Sequence, residues 1–274
     1  SGESLAGRIA YIEMTTLIPP EVPGDRASID RLWLRGGFPD SYLASSDQES
    51  QAIRKDFIRT YLERDVAMFG PRIPATTLER LWTMLAHSQG GLLNASQLSR
   101  ALDTSAQSVT RYIDLLCDLL LVRRLTPLHA NTRKRLVKSP KVYIRDSGIV
   151  HTLLGIETLT QLSGHPVVGM SWEGFVIETL LAQSPWRTSA GFYRSAGGAE
   201  VDLILEKAMG QRWAIEIKSG LSAKASRGFY QALEDIEPDR AFVVHAGEDR
   251  YPLDEHVDAI GLSALLEELT AWAH

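Results

Sequence analysis

Three residues in the C-terminal third stand at a spacing that suits phosphodiester chemistry: Asp202 in "AEVDLILE", and Glu216 with Lys218 in "RWAIEIKS". Alternation along the first segment separates Asp202 and Ile204 from Val201, Leu203 and Leu205. Along the second it sets Trp213, Ile215 and Ile217 on one face and Glu216 and Lys218 on the other. Residues two apart on a strand lie roughly 6.5 to 7 Å from each other, so a carboxylate and an ammonium can converge on one small object. A hairpin around "KAMGQ", with Gly210 serving the turn, sets Leu205 against Trp213 and Leu203 against Ile215, which places Asp202 opposite Glu216. Like charges directly opposed on a sheet are unfavourable unless something positive lies between them, and a divalent cation meets that need. Phosphodiester hydrolysis calls for the same cation, because Mg²⁺ or Mn²⁺ held by carboxylates neutralises the phosphoryl group and generates a hydroxide nucleophile. The expectation is a site in which Asp202 and Glu216 hold the metal and Lys218 positions the attacking water.

The elements that must position these residues begin with a helix over "SWEGFVIETLLAQ". At about 100° per residue, Val176, Ile177, Leu180 and Leu181 define its apolar face; Glu173 falls near the centre of that face and Glu178 at its edge. A carboxylate aimed at a core needs a partner, which makes Glu173 the expected fourth member of the site and third metal ligand. From Gly169 the pattern reads helix, three strands, helix, strand. The competing reading makes Glu216 and Lys218 a solvated edge-strand pair and Asp202 a surface residue.

Upstream, residues 78–145 carry three helical patterns at short separation: "LERLWTMLAHS", "NASQLSRAL" with Asn94 as N-cap, and "AQSVTRYIDLLCDLLL" capped by Thr104 or Ser105. This is the outline of a helix-turn-helix, and the β-rich arms "LVRRLTPLHA" and "SPKVYIRD" around "NTRKRLVK" make the hairpin of a winged helix. Residues 121–145 include Arg123, Arg124, Arg133, Lys134, Arg135, Lys138, Lys141 and Arg145 without an acidic residue, so this segment could face phosphate. On that reading Gln107, Ser108, Thr110 and Arg111 open the recognition helix, with Arg133, Lys134, Arg135 and Lys138 on the wing against DNA phosphates. Helix-turn-helix units also serve purely as protein-packing elements, and that alternative stays open.

Bulk properties frame these readings. A chain of 274 residues can hold two modest domains, and its 23% charged and 44% hydrophobic residues indicate folded protein throughout. A net charge of -5 argues against a protein that coats nucleic acid indiscriminately. Apolar stretches are too short to span a bilayer and no signal peptide opens the chain, so the expected location is cytoplasmic, away from membranes. Cys117 lies in the apolar run "YIDLLCDLLLV" and reads as a small core residue. His87, His129, His151, His245 and His256 show no metal-ligand spacing among them. "GGFP" reads as a structural turn, and the "YLERDV" helix as either an interface or an exposed face with i,i+4 pairs.

The helix glutamate, "EVD" and "EIK" together resemble the PD-(D/E)XK nuclease superfamily, although the Pro usually written before the Asp is absent. Along nearly its whole length the chain is similar to the C-terminal region of a family of prokaryotic AAA-type ATPases that carry a C-terminal domain of unknown function. The matching stretches are "SLAGR", "LRGGFP", "YLERDV", "NASQLSRALDTSAQSVTRYIDLL", "KVYIRDSGI", "WEGFVIE", "AEVDLIL" and "EIKSG". The resemblance implies an α/β fold overall. Residues 1–75 become the tail of an ATPase module with linking helices, 76–146 a winged helix-turn-helix domain, and 147–274 a PD-(D/E)XK restriction-endonuclease-like domain. No GxxxxGK[ST] occurs, and the resemblance implies an ATP-binding module ahead of this region, with the opening "SGESLAGRIAYIEM", which lacks an initiator methionine, as that module's tail. Two functions follow as expectations: a Mg²⁺-dependent DNA endonuclease module, or a catalytically silent DNA-binding or protein-interaction module that regulates the ATPase.

Overall fold

The computed structural model describes residues 13–65, 73–128, 135–207 and 210–273. The opening "RIAYIEM", whose alternation reads as a short strand, falls largely outside them. After a 3-10 turn at Pro19–Glu21 come three α-helices: α1 (Arg26–Arg35), α2 (Pro39–Tyr42) and α3 (Asp47–Thr60). Asp25 accepts the Ser28 amide at 2.9 Å to start α1, and Ser46 accepts the Glu49 amide at 3.1 Å to start α3.

Next come α4 (Ala75–His87), α5 (Ala95–Ala101) and α6 (Ala106–Asp118). Asn94 caps α5 through the Gln97 amide and Ser105 caps α6 through the Ser108 amide, each at 3.0 Å. Helix α6 buries Val109, Ile113 and Leu116 and leaves its opposite side to solvent. It leads into β1 (Val122–Leu125), which pairs antiparallel with β2 (Lys141–Ile144), Val122 facing Ile144 and Leu125 facing Lys141. An isolated bridge joins Leu92 to Lys141.

After β2, Asp146 caps α7 (Ser147–Leu153) by accepting the Ile149 amide at 2.9 Å, and its other oxygen accepts the Gly37 amide at 2.8 Å. The "GGFP" turn and the "RDSGI" segment are thus two halves of one contact. Gly36 has φ +77°, and a Cβ there would lie 2.1 Å from Asp146 Oδ1; one on Gly148 would lie 2.2 Å from the Arg35 carbonyl oxygen. Buried Arg54 completes this junction, donating to Thr152 Oγ1 at 2.7 Å, Ser41 Oγ at 2.9 Å and the Arg35 carbonyl at 3.0 Å. Burial draws its pKa down to about 10.

The remainder runs α8 (Leu159–Ser163), α9 (Val168–Gln183), β3 (Ser189–Arg194), β4 (Glu200–Glu206), β5 (Arg212–Lys218), α10 (Arg227–Ile236), β6 (Arg240–His245), β7 (Tyr251–Pro252), β8 (Val257–Gly261) and α11 (Leu262–Ala273). The strands form one sheet in the order β3-β4-β5-β6-β8-β7, antiparallel from β3 to β5 and parallel from β5 through β6 to β8. Leu203, Leu205, Trp213, Ile215 and Ile217 face a core that takes in α9 and α11 and continues through α1 to α7. Val201, Ile204, Ala214 and Val243 face a smaller core closed by Phe229, Ala232 and Ile236 of α10.

Both arms leaving the β1–β2 ribbon dock on the outer edge of β3. Phe192 donates to the Thr126 carbonyl at 3.1 Å and accepts from Leu128 at 2.8 Å; Val137 donates to Arg194 at 3.0 Å, and Ala196 to Arg135 at 2.9 Å. The arms therefore cover an edge that would otherwise expose a row of unpaired backbone groups. Gly191 permits the approach, since a Cβ there would stand 2.5 Å from Leu128 Cγ.

Candidate functional site

The β4–β5 hairpin has the register expected from its alternation, with Leu205 opposite Trp213 and Leu203 opposite Ile215. Gly210, at φ +81°, donates to the Lys207 carbonyl in the connection. On the other side of β4 the register shifts. Gly191 pairs with Ile204 but Tyr193 with Val201, so Phe192 alone stands against both Asp202 and Leu203. This β-bulge breaks the alternation that the sequence reading assumed. Val201 joins the core under α10, whereas Leu203 joins the core under α9, and Asp202 turns toward α9 with it.

The expected single face for Asp202, Glu216 and Lys218 is therefore corrected. Glu216, 5% exposed, keeps the parity of β5 and reaches the start of α10, where Oε2 accepts the Ser226 amide at 2.9 Å. Its Oε1 lies 2.7 Å from Lys218 Nζ, so these two residues form a pair of their own. Asp202 Oδ2 accepts the Ile217 amide at 2.9 Å, just where the β4–β5 ladder ends.

Asp202 belongs instead to a cluster centred on Lys141 of β2. The ammonium, on a side chain 4% exposed, lies 3.0 Å from Glu200 Oε1, 3.2 Å from Glu173 Oε1 and 3.4 Å from Asp202 Oδ1. A lysine ammonium has three donors, and here each has a carboxylate. Tyr143, two residues along β2, donates its hydroxyl to Glu173 Oε1, and the Phe192 ring lies 5.6 Å below Nζ. Glu173 is buried as its helix position required, while Glu178 takes a separate place with Arg123 and Arg145.

One ammonium shared by three carboxylates leaves the cluster short of positive charge. Burial, then the charge of Asp202, pushes the Glu173 carboxyl up to about 7 against the pull of Lys141 and the Tyr143 hydrogen bond. For Lys141 burial acts downward, but Glu173, Asp202 and Glu200 outweigh it and hold the ammonium above its ordinary value. Burial and Glu173 both raise Tyr143.

These donors do not fit a divalent metal as they stand. Both oxygens of Glu216 and both of Asp202 are engaged by protein N–H groups or ammoniums, and Lys141 fills the centre of the acidic group. Among the described residues no three His, Cys, Asp or Glu side chains are grouped so as to hold an ion.

Lys141, Tyr143 and Glu200 were not singled out in sequence. The signal was present: Lys141 and Tyr143 share a strand face by the same two-residue spacing as Glu216 and Lys218. Lys141 was instead counted with the basic segment, of which the structure leaves less free. Arg123 and Arg145 pair with Glu178, Arg124 with Asp114 and Lys141 with its acids. Arg135 and Lys138 are exposed; Arg133 and Lys134 lie outside the described residues. On α6, Gln107, Thr110 and Arg111 are exposed, whereas Ser108 is half-buried and takes part in the cap with Ser105.

Residues 26–160 match the model of a domain of unknown function, DUF8612, and residues 168–265 match another, DUF4143. Two curated relatives, an uncharacterized protein of Mycobacterium tuberculosis and one of Mycobacterium bovis, are each 44% identical over 269 residues, covering 97% of this chain. The chain spans 59% of the length of these relatives. No solved structure matches. No helix among the described residues is long and apolar enough to cross a membrane.

Proposed function

We infer that this chain is the DNA-binding part of a larger AAA-type ATPase, in which a PD-(D/E)XK-like module acts as a fixed platform for a winged helix without working as a metal-dependent nuclease. The observation that carries the reading is the free leading edge of α6. Gln107, Thr110 and Arg111 are exposed there, while the far side of the helix is anchored by Val109, Ile113 and Leu116. A helix-turn-helix presents its second helix to the major groove by this edge. Exposed Arg100 on α5, with Arg135 and Lys138 on the docked arm, supplies cations for phosphate.

The platform role rests on the arms. Because they hydrogen-bond to β3, the helix pair is held in one relation to the sheet. The succession α9, β3-β4-β5, α10, β6 supports the PD-(D/E)XK likeness. The engaged oxygens of Asp202 and Glu216 favour the silent version over the Mg²⁺- or Mn²⁺-dependent endonuclease.

Incubating the protein with supercoiled plasmid, with and without Mg²⁺ or Mn²⁺, tests both halves. The expected result is retarded but uncut plasmid. Cutting that Asp202→Ala and Lys218→Ala both abolish establishes the endonuclease instead, and failure to retard DNA leaves the protein-contact role for the helix pair.

A further inference from the structure

We propose that the Lys141 ammonium is the resident cation of this site, a tethered counter-ion that neutralises Glu173, Glu200 and Asp202 and keeps divalent metal out. The inference deepens the reading of the module as a metal-free platform and rests on it. Its geometry is specific. Nζ is the common neighbour of one oxygen from each acid, at 3.0 to 3.4 Å, and the side chain that carries it is 4% exposed. The three acids come from two elements, Glu173 from α9 and Glu200 and Asp202 from either side of Val201 on β4, and the bulge at Phe192 is what turns Asp202 toward the other two.

Charge and position together assign the role. A buried carboxylate needs an opposite charge or hydrogen bonds, and the only cation within ion-pairing distance of both Glu173 and Asp202 among the described residues is Lys141. Arg194 lies 3.6 Å from the outer oxygen of Glu200 and makes no ion pair with Glu173 or Asp202. A hard divalent ion needs oxygens at about 2.0 to 2.6 Å from its centre. The acids stand farther than that from Nζ, as suits an ammonium, and an ion could enter only by displacing Nζ and drawing them inward. Lys141 is itself fixed through β1 on one side and the Leu92 bridge on the other, so the counter-ion is built into the ribbon that joins the helix pair to the sheet.

Thermal unfolding and calorimetric titration with MnCl₂, in the absence of DNA, test the assignment separately from any binding or cleavage of nucleic acid. Wild type is expected to show the same melting temperature in Mn²⁺ and in EDTA, and no heat of Mn²⁺ binding. Lys141→Ala is expected to melt lower and to regain about 5 °C in saturating Mn²⁺, a gain that adding Asp202→Asn removes. Should Lys141→Ala not fold, the double variant Lys141→Ala/Glu173→Gln, with less unbalanced charge, is expected to fold and still take up Mn²⁺. Mn²⁺ that stabilises wild type but not Asp202→Asn overturns the proposal, as does a folded Lys141→Ala, or a double variant folded or unfolded, that takes up no Mn²⁺.

Discussion

Glu173 shows what a buried acid becomes when its counter-charge is shared. A chain of acids around Lys141 gives it one ammonium contact and one phenol hydrogen bond, and the nearby Asp202 charge works against its ionisation. Its folded pKa, about 7, stands above the ordinary 4.5. A carboxyl raised on folding binds its proton more tightly in the native state, so its contribution to stability is complete below about 4.5 and is lost as pH rises through about 7. Urea unfolding at a series of pH values should therefore show wild type losing stability relative to Glu173→Gln between those limits, with parallel curves outside them. A constant difference across that range means that Glu173 ionises normally. Removing the ammonium is a larger disturbance, since breaking a buried pair from one side typically costs about 3 to 5 kcal/mol. That magnitude is why a single lysine can hold the place of an ion here.

Among the elements, the β4–β5 hairpin was legible because both strands alternate cleanly and Gly210 marks the turn, so Leu205 and Trp213 find each other in sequence alone. The caps Asn94 and Ser105 were legible for the same local reason. The β-bulge opposite Phe192 was not. It is set by which β3 residue meets β4, a non-local matter, and "EVDLILE" alternates as well with the bulge as without it. One unpaired residue was enough to move Asp202 away from Glu216 and Lys218 and into the company of Glu173. The docked arms were equally invisible, since "LTPLHA" reads as the side of a hairpin and nothing local names β3 as its neighbour. Gly191 now gives that contact a test. Gly191→Val should push Leu128 and Thr126 off β3, destabilising the protein by about 1 to 3 kcal/mol. Hydrogen exchange at the Leu128 and Phe192 amides should rise together. Unchanged protection at both amides means that the arm does not depend on this close approach.

At the scale of the whole molecule, the core under α9 and α11 runs on through α7 to α1, so the helices, the ribbon and the sheet share one interior. The matched regions divide near residues 160 to 168, whereas Lys141, on the earlier side, makes its ion pairs with Glu173, Glu200 and Asp202 on the later side. The Lys141 cluster is thus a joint between the two regions as well as a site. DNA binding is the claim on which the proposed function depends. Fluorescence anisotropy of a labelled duplex, titrated with wild type and with Lys138→Ala over a range of NaCl concentrations, tests it most directly. The expected result is a log-log slope of roughly -0.9 per phosphate contacted, smaller in magnitude by about one contact for Lys138→Ala, with the duplex uncut in Mg²⁺. Affinity that does not respond to salt, or a slope unaffected by Lys138→Ala, contradicts it.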